Sequence, residues 1–105
     1  MVIWTNHALF CIKKIVDGAR LGTKENERKY ILNLVDYVEI LQSMNKLGKV
    51  INITDLKYEI RQIIYKKHRI IYMLNKNNVY VLSVIHVRVN LKNALEILIK
   101  NIEED

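Results

Sequence analysis

Three arginines and one histidine in the second half of the sequence have the chemistry of phosphate binding and proton transfer: Arg61, Arg69, His86 and Arg88. The planar guanidinium group of arginine donates two parallel hydrogen bonds to a phosphate. An imidazole titrates near neutral pH, so a histidine beside such donors can carry a proton. These four residues are therefore the candidate catalytic residues, provided that the fold brings them to one place.

Each candidate also has an ordinary structural role that the sequence leaves open. Arg61 and Arg69 can pair with a carboxylate such as Glu59 at a strand end, and Arg88 can be solvated. His86 can be a half-buried strand residue that bonds to a backbone carbonyl. The tyrosines of this region are typical of sheet packing as much as of a stacking surface.

The positive charge is concentrated in the same part of the chain. The protein has a net charge of +6, and residues 46–92 hold ten basic against two acidic side chains, a net of +8. Such concentration favours a polyanionic or acidic partner. The side chains that we expect to bind nucleic acid or a partner protein are Lys49, Lys57, Lys66, Lys67 and Tyr65.

The elements that must position these residues follow from hydrophobic periodicity. Val2-Ile3-Trp4 predicts a strand, with Thr5 or Asn6 capping a first helix that ends near Gly18. A second helix is predicted from Thr23 or Lys24 to before Gly48, and a third over Asn90–Glu103. Runs rich in Ile, Val and Tyr predict three strands between them: Tyr58–Tyr65, Arg69–Leu74 and Val79–Arg88. The pattern predicts a single α+β domain over residues 1–105, in which a helical hairpin packs on a small antiparallel sheet.

The predicted hairpin of the last two strands suggests where the charged side chains lie. If residues 75–78 form its loop, Leu74 lies opposite Val79, Tyr72 opposite Val81 and Arg69 opposite Val84. Cross-strand partners share a face of a sheet, so we expect Arg69, His86 and Arg88 on one face. The preceding strand adds to that face either Arg61 and Tyr65 or the alternate residues, because its register is not fixed by the sequence.

Several other classes of site lack a signature in the sequence. There is no phosphate-binding glycine loop, and Cys11, His7, His68 and His86 do not have metal-ligand spacing. We therefore expect no metal and no cofactor. The apolar run Val79–Val87 is too short for a membrane span. With one cysteine and no signal-peptide pattern, the sequence predicts a cytoplasmic protein that does not bind a membrane.

Two segments resemble the C-terminal half of the RelE/ParE toxins. One is Lys67-His68-Arg69-Ile70-Ile71-Tyr72, and the other runs from Val79 to His86-Val87-Arg88. An opening strand with Trp4, a helix with Ala8 and the pair Leu47-Gly48 are similar as well, so the resemblance covers residues 2–92.

The resemblance implies the toxin of a type II toxin–antitoxin system, neutralised by a cognate antitoxin, as a homodimer or in a toxin–antitoxin hetero-oligomer. RelE-like members cut mRNA on the ribosome without a metal, and ParE-like members inhibit DNA gyrase. Arg69 matches an arginine of one RelE-like branch, whereas Val87-Arg88 stands where that branch has His-Tyr. The ending His86-Val87-Arg88 is similar to ParE-like members. Three hypotheses remain open: a ribosome-dependent endoribonuclease, a gyrase inhibitor and a non-toxic binding module.

Overall fold

The computed structural model describes residues 1–18, 24–53 and 57–104, with side chains through Lys100. Its helices and strands are β1 (Val2–Trp4), α1 (Asn6–Asp17), α2 (Lys24–Val38), β2 (Lys49–Val50), β3 (Glu59–Tyr65), β4 (His68–Asn75), β5 (Asn78–His86) and α3 (Leu91–Glu104). A 3₁₀ turn, Glu39–Gln42, extends α2. The alternative helix start at Thr23 lies outside the described residues. None of the described helices is both long enough and apolar enough to cross a membrane.

The strands form one five-stranded sheet in the order β1-β5-β4-β3-β2. β3, β4 and β5 are antiparallel neighbours, and β1 pairs with β5 in parallel. The predicted α+β fold is confirmed, although the parallel β1 makes the sheet mixed. β5 is an inner strand because β1 and β4 flank it, which explains its nearly continuous apolar sequence.

Both faces of the sheet are packed by helices. On one face, Ala8 of α1 and Leu34 and Val38 of α2 contact Ile70 and Val81 in the larger core cluster. On the other face, Leu98 of α3 packs with a smaller cluster of buried residues from the sheet: Ile60, Ile71 and Leu82. We call these the hairpin face and the α3 face.

Thr5 fixes the junction between the sheet and the first helix. Its hydroxyl accepts a hydrogen bond from the Ala8 amide at 3.2 Å and donates one to the Val81 carbonyl at 2.8 Å. Since a side-chain oxygen at the cap satisfies a free amide of the first turn, the sequence-predicted cap is Thr5 rather than Asn6.

The short strand β2 was not predicted from the sequence, and two buried side chains hold it in place. The Tyr72 hydroxyl accepts from the Gly48 amide at 2.8 Å and donates to the Asn45 carbonyl at 2.9 Å. Arg61 donates from Nη1 to the Gly48 carbonyl at 2.6 Å. Both backbone groups of Gly48 are thus bonded to side chains of the sheet, which aligns Lys49 opposite Gln62.

Candidate functional site

A β-bulge separates the two residues on which the predicted catalytic site depended. Tyr72 pairs with Val81, as expected, but Ile71 pairs with Ser83, so Leu82 has no partner on β4. Beyond this bulge Arg69 lies opposite Ile85 and not opposite Val84. Because one extra residue reverses the alternation of side chains, the expectation that Arg69 and His86 share a face is wrong.

The residues opposite Arg69 and His86 show which face each side chain occupies. Ile85 packs with the α3-face cluster, so Arg69 lies on the α3 face. His86 lies opposite His68 on the hairpin face, as does Tyr65, the cross-strand partner of His68. Tyr65 packs there between aromatic rings of α2, with centroids 5.6 Å from Tyr30 and 5.3 Å from Tyr37.

Arg61 and Arg88 lie apart from both Arg69 and His86. Arg61 lies opposite Tyr72 on the hairpin face, with only 14% of its side chain exposed. Its Nε donates to Glu59 at 2.7 Å, while Nη1 bonds to the carbonyls of Lys46 and Gly48. Arg88 is exposed in the turn after β5, which ends at His86 and not at Arg88 as predicted. The structure therefore divides the four candidate catalytic residues among separate places.

Arg69 borders a groove at the outer edge of β3, which we call the edge groove. The groove has a volume of about 480 Å³ and is lined by Tyr37, Leu47, Gly48, Lys49, Gln62, Ile63, Ile64 and Arg69. Nη1 of Arg69 donates to Oε1 of Gln62. Nε of Arg69 is buried and has no hydrogen-bond partner in the described part of the chain. An unpaired buried donor is costly.

The edge of β3 beside this groove is open. β2 covers β3 only as far as Gln62, and the Ile51 amide donates to the Ile60 carbonyl on that side. Since backbone groups alternate in direction along an antiparallel strand, the amide and carbonyl of Ile64 point outward past the end of β2. The apolar side chains of Tyr37, Leu47 and Ile64 are 36%, 44% and 53% exposed. The groove therefore offers backbone, apolar and cationic groups together.

A second cavity lies on the hairpin face around the two histidines. It has a volume of about 310 Å³ and is lined by Lys14, Ile15, Gly18, Glu27, Lys67, His68 and His86. We call it the histidine pocket. The two imidazole rings meet edge to face with centroids 5.6 Å apart. His68 is only 4% exposed, and its Nδ1 lies 2.8 Å from the Tyr30 hydroxyl.

The electrostatics of the histidine pocket favour a neutral His68. Burial lowers the pKa of His68 first, and the neighbouring His86 and Lys67 lower it further, with Glu27 acting in the opposite direction. Lys67 lies 3.8 Å from Glu27 and over the ring of Tyr30. Burial also raises the pKa of Tyr30. The pocket is therefore a positively charged environment for its imidazoles.

The expected partner-binding side chains are also divided among several places. Lys49 is exposed and lines the edge groove, and Lys67 lines the histidine pocket. Lys66 lies over the ring of Tyr65, and Lys57 over that of Tyr58. Lys57 and Lys66 are exposed and line neither the edge groove nor the histidine pocket.

Two features of the candidate sites, His68 and the open edge, were not predicted from the sequence. The predicted strands leave residues 66–68 between them, whereas the turn contains only Lys66 and Lys67, and His68 begins β4. Lys66 has a φ of 51°, which fits a two-residue hairpin turn. Had such a turn been assumed, pairing would have placed His68 opposite Tyr65. Among the described residues, no cluster of three His, Cys, Asp or Glu could hold a metal.

Comparison with known proteins decides the family. The family model of the ParE toxin of type II toxin–antitoxin systems, parDE, matches residues 2–91. The chain belongs to the ParE toxin family. A chain of the chromosomal ParDE toxin–antitoxin system from P. aeruginosa is similar in fold, with a TM-score of 0.69 and 17% identity. That alignment covers 83% of this chain and 95% of the other. No curated protein matches the sequence significantly.

Proposed function

We propose that this ParE-family toxin stops growth by binding DNA gyrase and does no chemistry of its own. The observation that carries the proposal is the separation of Arg69 from His86 on opposite faces of the sheet. Metal-independent RNA cleavage needs a proton carrier and phosphate-binding donors around a single phosphate. The two residues cannot meet at one phosphate without a change in strand register, and Arg61 is already bonded to Glu59 and to two carbonyls.

Growth arrest with intact mRNA is the expected result on induction of the toxin. Purified toxin should inhibit supercoiling by gyrase in vitro, while ribosome-bound transcripts mapped after induction stay uncut. Cut transcripts together with unimpaired supercoiling would overturn the proposal in favour of the endoribonuclease. An absence of growth arrest at a verified level of folded protein would favour the non-toxic binding module.

The antitoxin, in the same proposal, docks at the edge groove. An extended peptide can add to an open strand through backbone hydrogen bonds, with side-chain pockets giving specificity. The outward backbone groups of Ile64 support such pairing, and Tyr37 and Leu47 offer apolar contacts. Arg69 and Lys49, which line the groove, favour a carboxylate in the peptide.

The docking site can be tested with the product of an adjacent antitoxin gene. We expect the two proteins to co-purify, and Arg69→Gln to weaken their affinity by roughly 30-fold, as for a charge-assisted hydrogen bond. Lys76→Gln, which removes a charge from the β4–β5 turn, is the matched control and should bind as the unmodified toxin does. Equal weakening by both variants would show a diffuse charge effect and refute docking at this groove.

A further inference from the structure

The histidine pocket combines cationic and hydrogen-bonding groups from five parts of the fold. Lys14 comes from α1, Glu27 from α2, Lys67 from the β3–β4 turn, His68 from β4 and His86 from β5. Among the described residues, two lysines and one glutamate line this cavity of about 310 Å³. The pocket is therefore net positive with both imidazoles neutral, and it becomes more positive when His68 gains a second proton.

Neighbouring groups fix which ring nitrogen carries the proton in each neutral imidazole. The Arg88 amide donates to Nδ1 of His86 at 3.1 Å, so the neutral His86 ring carries its proton on Nε2 and can donate it. The Tyr30 hydroxyl donates to the Tyr65 carbonyl at 3.1 Å, which leaves its oxygen to accept from Nδ1 of His68. His68 consequently becomes a donor at Nε2 only when it gains a second proton.

We propose that the histidine pocket binds a phosphate group of a nucleotide or nucleic acid. Lys14 and Lys67 line the pocket together with His86. The ammonium group of a lysine and the Nε2 proton of His86 are donors that suit a tetrahedral oxyanion. His68 adds a donor at lower pH, and its buried ring is held in place by Tyr30. The site shares no lining residue with the edge groove, so it does not depend on the antitoxin docking site or on gyrase inhibition.

The charges around the pocket determine how binding depends on pH. The groups that face the two imidazoles are Lys14, Glu27, Tyr30, Tyr65 and Lys67. The cations that lower the pKa of His68 attract the anion, and a bound anion favours protonation of His68 by linkage. Affinity should therefore rise as the pH falls and His68 gains its second proton.

Sulfate is a suitable probe because it does not titrate in this range. Imidazole NMR signals of His68 and His86 in the full chain should shift saturably with sulfate, with affinity roughly tenfold higher at about pH 6 than at about pH 8. Lys14→Gln and Lys67→Gln should each weaken binding roughly fivefold. Lys13→Gln is the matched control, since it removes an exposed charge from the same helix without lining the pocket.

The variant Glu27→Gln distinguishes anion binding in the pocket from a purely structural role of its charged residues. Removing the carboxylate of Glu27, the one carboxylate among the described residues that line the pocket, should strengthen sulfate binding roughly fivefold, although it breaks the contact with Lys67. Adenosine 5′-monophosphate and an oligonucleotide without terminal phosphates then compete with sulfate. Displacement by the mononucleotide alone assigns a terminal phosphate, and displacement by the oligonucleotide assigns a phosphodiester. The proposal is overturned if neither competes, if the shifts do not saturate, or if Lys13→Gln weakens binding as much as Lys14→Gln.

Discussion

Replacement of Gly48 by alanine should destabilise the toxin strongly, because the space for a side chain is filled on two sides. A Cβ atom there would lie 2.7 Å from the Gln62 carbonyl oxygen and 2.7 Å from Cε1 of Tyr72, and closer still to the Tyr72 hydroxyl. Tyr72 is fully buried and held by hydrogen bonds to Gly48 and Asn45. Neither neighbour is the end of a flexible side chain, so the backbone of residues 45–48 has to move.

The cost of Gly48→Ala follows from two contributions. Overpacking of a well-packed site costs about 1–3 kcal/mol, and loss of the bond from the Gly48 amide to Tyr72 adds about 1 kcal/mol. The free energy of unfolding should fall by about 2–4 kcal/mol in all, which lowers the midpoint of urea unfolding by about 2 M. A domain of this size with ordinary stability would remain folded in buffer.

A double-mutant cycle with Tyr72→Phe tests the reasoning. Tyr72→Phe alone leaves the Gly48 amide and Asn45 carbonyl without their partner and should cost about 1–3 kcal/mol. Because both substitutions lose the same hydrogen bond, the double variant should cost about 1 kcal/mol less than their sum. Gly18→Ala, at the αR C-cap of α1, is the control and should change stability by less than about 1 kcal/mol. Additive effects, or an unchanged midpoint for Gly48→Ala, would refute the proposed contact.

Three further predictions concern the helix cap Thr5, the buried hydrogen bonds of Arg61 and the pH dependence of stability. Thr5→Ala should cost about 1–2 kcal/mol in thermal or urea unfolding, whereas Thr5→Ser should restore most of it. Arg61→Ala should lower the thermal midpoint by loss of the bond to the Gly48 carbonyl, yet well below that midpoint it should inhibit gyrase as the unmodified toxin does. A lower pKa of His68 in the folded state means that stability is complete above about pH 6.5 and declines below it, by at most about 1.4 kcal/mol per pH unit. His68→Asn should flatten that decline, whereas His7→Gln, at an exposed histidine, should not. If stability falls with pH equally in both variants, a group other than His68 causes the decline.

The sequence predicted the elements better than the contacts between them. Runs of Ile, Val and Tyr identified β3, β4 and β5 because β-branched residues suit a covered sheet. β2 has only two residues, and its position depends on distant contacts of Tyr72 and Arg61 that no local pattern encodes. The pairing of β1 beside β5 depends likewise on tertiary contacts such as the bond from Thr5 to the Val81 carbonyl.

The same limit applied to the candidate site, where counting from the β4–β5 turn gave the right register only near the turn. Leu74 opposite Val79 and Tyr72 opposite Val81 are confirmed. The run from Val79 to Ile85 is almost wholly apolar, so alternation carries no information about which residues face which side. A bulge in such a run changes no apparent pattern, and the side chains beyond it could not be assigned from the sequence.

Leu82 at the bulge links the packing of the sheet to the distribution of its charge. With Leu82 unpaired, Val81 and Val84 both reach the hairpin-face core, while Leu82 and Ile85 pack on the α3 side. The strand thereby supplies apolar side chains to both helical layers, which favours burial on both faces. The bulge also places His86 on the hairpin face, whereas Arg69 lies on the α3 face. Of the basic residues in 46–92, Lys49 and Arg69 line the edge groove and Lys67 lines the histidine pocket. Because the bulge keeps the proton carrier His86 away from Arg69, the sheet supports the proposed binding function rather than catalysis at one phosphate.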